Sequence, residues 1–119
     1  MNFRMDRLNS EMQRNISDII RNKIKDPRVS SVMVSVLSVN CAKDLKTAKV
    51  YLSIYADKEK ANSVFEAICK CAGFIRKEMS QYFKDIRTIP TLTFILDTSM
   101  EYSAKIESIL EGIKKNETN

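Results

Sequence analysis

Apolar residues return at steps of three and four along residues 3–25: Met5, Leu8, Met12, Ile16, Ile19, Ile20 and Ile24. That spacing lines one side of an amphipathic helix. Arg7, Arg14 and Arg21 recur every seven residues and form a stripe on the opposite side. Glu11 and Asp18 each follow an arginine by four, which permits helix-surface ion pairs. The segment "KDPR" (25–28) stops the helix, because Asp26 precedes a proline and is pushed out of α geometry.

The period then changes. Residues 32–39, "VMVSVLSV", are apolar or β-branched at nearly every position, as in a well-covered strand. Residues 47–55, "TAKVYLSIY", alternate strictly. Ala48, Val50, Leu52 and Ile54 share one face; Lys49, Tyr51, Ser53 and Tyr55 share the other, so this strand is half exposed. Between the two, "NCAKDLK" suits a hairpin loop with Asn40 and Asp44 as turn formers.

A second helical pattern begins at Asp57, a plausible N-cap, and runs through Ala61, Val64, Phe65, Ile68, Ala72, Ile75, Met79 and Phe83. "IPTLTFILD" (89–97) reads as a third strand, with Pro90 near its start, where a missing N–H is tolerated. Thr98 and Glu101 then form a candidate capping box for a last helix carrying Tyr102, Ile106, Ile109, Leu110 and Ile113. A helical crossover joins strands two and three, so they should be parallel. The expected fold class is α+β, with a three-stranded mixed sheet covered by helices on one face.

One residue breaks the second helical pattern. Gly73, one of only two glycines in the chain, sits inside it, where glycine costs about 1 kcal/mol relative to alanine. A glycine here can split one long helix into two at an angle. A side chain at 73 should then meet unfavourable backbone angles or crowd a close contact, unless the glycine serves tight helix–sheet packing.

Composition narrows the function. The 119 residues suit a single domain, 1–119, with a frayed tail over 115–119. No apolar run approaches the ~20 residues of a membrane span and no signal-peptide core is visible, so a cytoplasmic chain without membrane contact is expected. Three cysteines, Cys41, Cys69 and Cys71, fit a reducing compartment. Absence of histidine removes Ser-His-Asp and Cys-His nucleophile systems and imidazole metal sites. "CKC" lacks the C-x-x-C spacing of zinc ligands, and no phosphate-cradling glycine motif occurs. No enzyme activity, metal or cofactor is expected.

The net charge is +5, and it is unevenly placed. Residues 1–28 and residues 58–88 each carry seven Lys/Arg against four Asp/Glu, whereas residues 89–119 carry three against five. The basic excess on two segments fits a polyanionic partner, or a solvated surface with a lysine bias. Lys70, Arg76 and Lys77 flank Gly73, and Lys84 and Arg87 follow.

Four stretches, in this order and spacing, carry a specific resemblance: "IKDPRV" (24–29), "DLKTAKVYLS" (44–53), "AGFIRKEM" (72–79) and "IPTLTFILDTSMEY" (89–102). Over about residues 4–110 the chain resembles the ribosome-binding factor A family of bacterial small-subunit assembly factors. The resemblance implies a KH-like fold of the type II arrangement, and binding of free 30S subunits through 16S rRNA during late maturation. It also implies help in rRNA processing, importance in the cold, and a monomer. KH domains place a G-x-x-G loop between two helices to grip single-stranded RNA. This family carries a helix-kink-helix with an Ala-x-Gly element instead; here it reads Cys71-Ala72-Gly73, so cysteine holds the alanine position. Lacking G-x-x-G, recognition should rest on shape and phosphates. The expected contact set is Arg7, Arg14, Arg21, Lys25 and Arg28, with Lys70, Arg76, Lys77, Lys84 and Arg87, and more weakly Lys43 and Lys46. The alternative is a protein–protein module using Tyr51 and Tyr55 on the open sheet face. Some family members also carry a longer C-terminal extension than this chain.

Overall fold

The computed structural model describes residues 3–84, 86 and 88–97. The expected last helix from Thr98, the tail and Arg87 lie outside the described residues.

Helix α1 (Phe3–Asn22) seats its apolar stripe in the core, with Met12, Ile16, Ile19 and Ile20 no more than 3% exposed. Burying each such side chain contributes roughly 1.5–3 kcal/mol, which far outweighs helix propensity. The helix ends three residues before the position read from the pattern. It closes through a wide turn in which the Ile24 N–H donates to the Ile19 carbonyl, 3.1 Å.

A short helix, α2 (Pro27–Ser30), was not foreseen in the sequence. Asp26 adopts extended angles, its carboxylate accepts from the Arg28 N–H at 2.9 Å, and Pro27 takes the first helical position. The Asp-Pro pair that stops one helix therefore starts the next, since a residue held out of α geometry is what an N-cap needs.

Strand β1 (Met33–Cys41) pairs antiparallel with β2 (Thr47–Tyr55), which pairs parallel with β3 (Thr91–Leu96); the sheet order is β1-β2-β3. The mixed sheet agrees with the α+β expectation and is consistent with the KH-like arrangement. Edge strand β1 is less covered than its composition suggests: Met33 is 67% and Leu37 40% exposed. Met33 points away from the core by ordinary alternation, whereas Leu37 is the extra residue of a bulge, a register shift between Val36 and Ser38 that turns both Val36 and Val39 inward. Helix α1 covers this edge. The Gln13 amide donates to the Val36 and Leu37 carbonyls at 3.0 and 3.1 Å, and the Asn9 side-chain oxygen accepts from the Cys41 N–H at 2.9 Å. Backbone groups that would otherwise invite a foreign strand are thereby engaged.

On central strand β2, Ala48, Val50, Leu52 and Ile54 are buried as read. Ser53, expected to face solvent, is buried too, on a face it shares with Tyr51 and Tyr55 two residues either side. Helix α3 (Lys58–Lys70) is capped by the Asp57 carboxylate, which accepts from the Lys60 N–H at 2.9 Å. Helix α4 (Ala72–Tyr82) follows after a single residue, and Ile75 and Met79 extend the core begun by Val64 and Ile68.

Candidate functional site

The break between α3 and α4 falls on Cys71, whose backbone stands at φ −90° and ψ 6°. Its N–H still bonds the Ile68 carbonyl, while its own carbonyl accepts from the Ile75 N–H, both within 2.9 Å. Cys71 offers α4 no side-chain cap. The first turn of α4 thus keeps donors of the kind that attract anions at a helix start.

Gly73 lies in that turn, and here the expected reason for it fails. Its φ is not positive, and a Cβ built on its backbone meets nothing within 4 Å. Neither strain nor internal crowding requires a glycine, and tight helix–sheet packing does not either. The position faces open space.

Helix α2 brings a second element to this break. Arg28 grips Asp26 through Nε (3.2 Å) and Nη2 (2.9 Å), a forked pair on the surface. The Arg28 side chain, then its backbone N–H, hold the Asp26 carboxyl below its ordinary range, with a smaller contribution from the Lys70 charge. The same pairing raises the Arg28 pKa, helped by Glu66. Arg28 and Lys70, 42 positions apart, therefore belong to one electrostatic neighbourhood beside the open start of α4.

Other candidates are distributed differently. Lys70, Lys77 and Lys84 are exposed along α4 and its ends, and Lys25 is exposed between α1 and α2. Arg14 and Arg21 are exposed and share a shallow groove with Gln13 and Asp18. Arg7 pairs with Glu11 at 3.3 Å. Arg76 is turned inward. Its Nε donates to the Pro90 carbonyl (3.0 Å) and its Nη2 to the Ile89 carbonyl (2.9 Å), so it ties α4 to the approach of β3. An arginine that reads as surface charge in the sequence is thus engaged by the backbone.

The hairpin carrying Lys43 and Lys46 is built on Leu45, which stands at φ 61° and is the only non-glycine with positive φ among the described residues. An Asp44 carboxylate accepting from the Lys46 N–H (3.0 Å) and a Leu45 N–H bonded to the Ala42 carbonyl (2.9 Å) hold this conformation. The turn brings Lys43 to a groove of about 760 Å³ between the start of α1 and the end of α4. There it meets Arg4, Arg7 and the exposed ring of Tyr82. Neither Arg4 nor Tyr82 was singled out in the sequence. Tyr82 gave no signal in the sequence, because it stands seven residues after Ile75 and three after Met79, a spacing that reads as the apolar side of its helix.

Cys41 is buried, and burial pushes the Cys41 and Cys69 thiols up, with Asp44 and Glu66 adding to the shift. Among the described residues no cluster of carboxylates and cysteines has a metal-binding arrangement. No helix of the described residues is long and apolar enough to cross a membrane.

Known proteins share this construction. A protein-family model described as ribosome-binding factor A matches residues 4–110. Ribosome-binding factor A of Clostridium botulinum is 44% identical over 117 residues, covering 98% of this chain and 96% of that protein. The crystal structure of ribosome-binding factor A from Thermus thermophilus superposes with a TM-score of 0.66 at 20% identity, covering 77% of this chain and 93% of its own. A homology model of the Thermus thermophilus factor, fitted into a cryo-EM map of its complex with 30S, gives 0.62 at the same identity and coverage. At that identity the two structures speak for the fold alone. The family match and the 44% identity span nearly the whole sequence: this chain belongs to the ribosome-binding factor A family.

Proposed function

We propose that this protein is a non-catalytic, cytoplasmic assembly factor that binds the free 30S subunit through 16S rRNA as a monomer. It acts in late maturation of the subunit, assists rRNA processing and assembly, and is important in the cold. The observation that carries the reading is the family match over nearly the whole chain, together with the uncapped start of α4 flanked by exposed Lys70 and Lys77. The Thermus thermophilus relative is described in a 30S complex, which supports the same partner here.

At the break, phosphate oxygens would meet backbone N–H groups and lysine cations without any base being read, which gives binding by shape and backbone. Exposed Lys77 and Lys84 extend this surface along α4; Arg14, Arg21 and Lys25 extend it toward α1. Arg76, engaged by Ile89 and Pro90, supports the surface by fixing α4.

Sedimentation of a cell lysate tests the reading. The protein should travel with free small subunits and be depleted from translating ribosomes. Equal occupancy of both fractions, or of neither, overturns it. A second reading rests on Tyr55, 47% exposed and paired directly with exposed Met33 at one end of the sheet face that also carries Tyr51. A protein partner there would bind with little salt dependence, whereas rRNA binding falls linearly on a log–log plot against salt.

A further inference from the structure

The groove between the start of α1, the β1–β2 turn and the end of α4 lies apart from the α3–α4 break and has a chemistry of its own. Arg4, Arg7 and Lys43 stand around it, and Leu45, Tyr82 and Phe83 supply its apolar lining. Among the described residues its one carboxylate, Glu11, is already paired with Arg7. That pair is an exposed one, with the Arg7 side chain 83% accessible. Such pairs are weak, so an incoming phosphate competes for Arg7 on nearly equal terms. The charge that the described residues leave facing the groove is positive.

The aromatic side of the groove is equally particular. Tyr82 is 63% exposed, whereas its neighbour Phe83 is buried and meets it edge to face, centroids 4.8 Å apart and planes at 75°. The buried ring steadies the exposed one, and Tyr82 still keeps 63% of its surface in solvent. The groove thus sets a large exposed ring in the same concavity as three cations. A cationic rim around an open aromatic face is the combination by which single-stranded nucleic acid is held. Phosphates pair with the cations while an unstacked base lies on the ring.

We propose that this groove takes an unpaired nucleotide of single-stranded RNA, its base stacked on Tyr82 and its flanking phosphates held by Arg4, Arg7 and Lys43. The proposal rests on the rRNA-binding reading above and adds a second point of attachment. At the α3–α4 break only backbone is held, whereas here the RNA must be single-stranded. Duplex RNA keeps its bases stacked and presents none to the ring. Stacking is indifferent to base identity, so the groove selects for strandedness and not for sequence.

The test uses the full chain with two fluorescein-labelled probes, a twelve-nucleotide oligouridine and a twelve-base-pair RNA duplex, and with isolated 30S subunits. Tyr82→Ala should weaken oligouridine binding by about 5- to 150-fold, the range that 1–3 kcal/mol of stacking represents, and leave duplex binding unchanged. Tyr82→Phe keeps the ring and should restore binding. Arg4→Gln with Lys43→Gln should reduce the slope of log K against log salt by about 1.4, at roughly 0.7 per phosphate for a single strand. All three positions are exposed, and circular dichroism confirms that the variants are folded. Unchanged oligouridine affinity in Tyr82→Ala overturns the proposal, as does failure of the wild-type chain to bind oligouridine. Lost 30S affinity with oligouridine binding intact overturns it in favour of a ribosomal protein contact. Each of these leaves the sedimentation result standing; absence of the wild-type chain from the 30S fraction instead removes the functional reading itself.

Discussion

Replacing Gly73 by alanine asks the structure a direct question. The position is the second residue of α4, its φ lies in the ordinary range for L-residues, and a Cβ there meets open space. Under those conditions the substitution acts mainly on the unfolded chain, which loses freedom, and the folded state gains a better helix former. The expected gain is about 0.4–1 kcal/mol. For a chain of this size that corresponds to a rise in Tm of roughly 2–5 °C. Urea unfolding at equal m-value and calorimetry would both register it. A lower urea midpoint or a lower Tm refutes the account of the backbone at this position.

The same variant separates folding from function. Nothing within the described fold requires glycine at 73, and the open space there would, on the rRNA-binding reading, let a partner's backbone approach the start of α4 closely. Gly73→Ala should therefore be more stable and yet bind isolated 30S subunits less tightly. Higher stability with undiminished 30S affinity removes the close-approach argument while leaving the backbone argument intact.

Other substitutions test other contacts. Arg76→Met leaves the Ile89 and Pro90 carbonyls without their charged donor and should cost about 1.5–3 kcal/mol in urea unfolding; a loss under about 0.5 kcal/mol would contradict the role assigned to it. Asp26 has a depressed pKa in the folded state, so its contribution to stability is fully present above the unfolded value of about 3.9 and is lost as pH falls through the lower folded value. Asp26→Asn keeps the N-cap and should be less stable than wild type at neutral pH, with the difference closing in acid; a gap that persists at pH 2 argues against the Arg28 pairing as its source. Cys69, exposed but with a raised thiol pKa, should react with iodoacetamide at pH 8 more slowly than a free thiol, and faster labelling would contradict the local electrostatics.

Much of the fold could be read from periodicity because burial is periodic. The α1 stripe, the alternation along β2 and the Asp57 cap each follow from spacing within one element, and the parallel pairing of β3 follows from the crossover. What escaped reading depends on contacts between elements. The bulge at Leu37 answers to the edge that Gln13 covers, and α2 hides inside four residues that look like a terminator. The candidate site was legible only in part for the same reason. Basic clusters are visible along the chain, but Lys43 and Tyr82 are 39 positions apart and meet only when the hairpin turn reaches the end of α4.

The structure also divides cations that the sequence treats alike. Arg28 and Arg76 each have a two-point partner, Asp26 and the Ile89 and Pro90 carbonyls respectively, while Arg7 makes only a single, exposed contact with Glu11. Lys25, Lys43, Lys46, Lys70, Lys77 and Lys84 are exposed and form no salt bridge among the described residues, and Arg14 and Arg21 join them. The division follows side-chain chemistry. A planar guanidinium is organised for forked and carbonyl contacts that fix one element against another, whereas a flexible, strongly hydrated ammonium is a point charge that adapts to a neighbouring phosphate. Arginine therefore shapes this surface at Asp26 and at β3, and lysine supplies most of its unpaired charge. On the proposed rRNA-binding reading, affinity should then follow lysine substitutions through the salt dependence, and stability should follow Arg76.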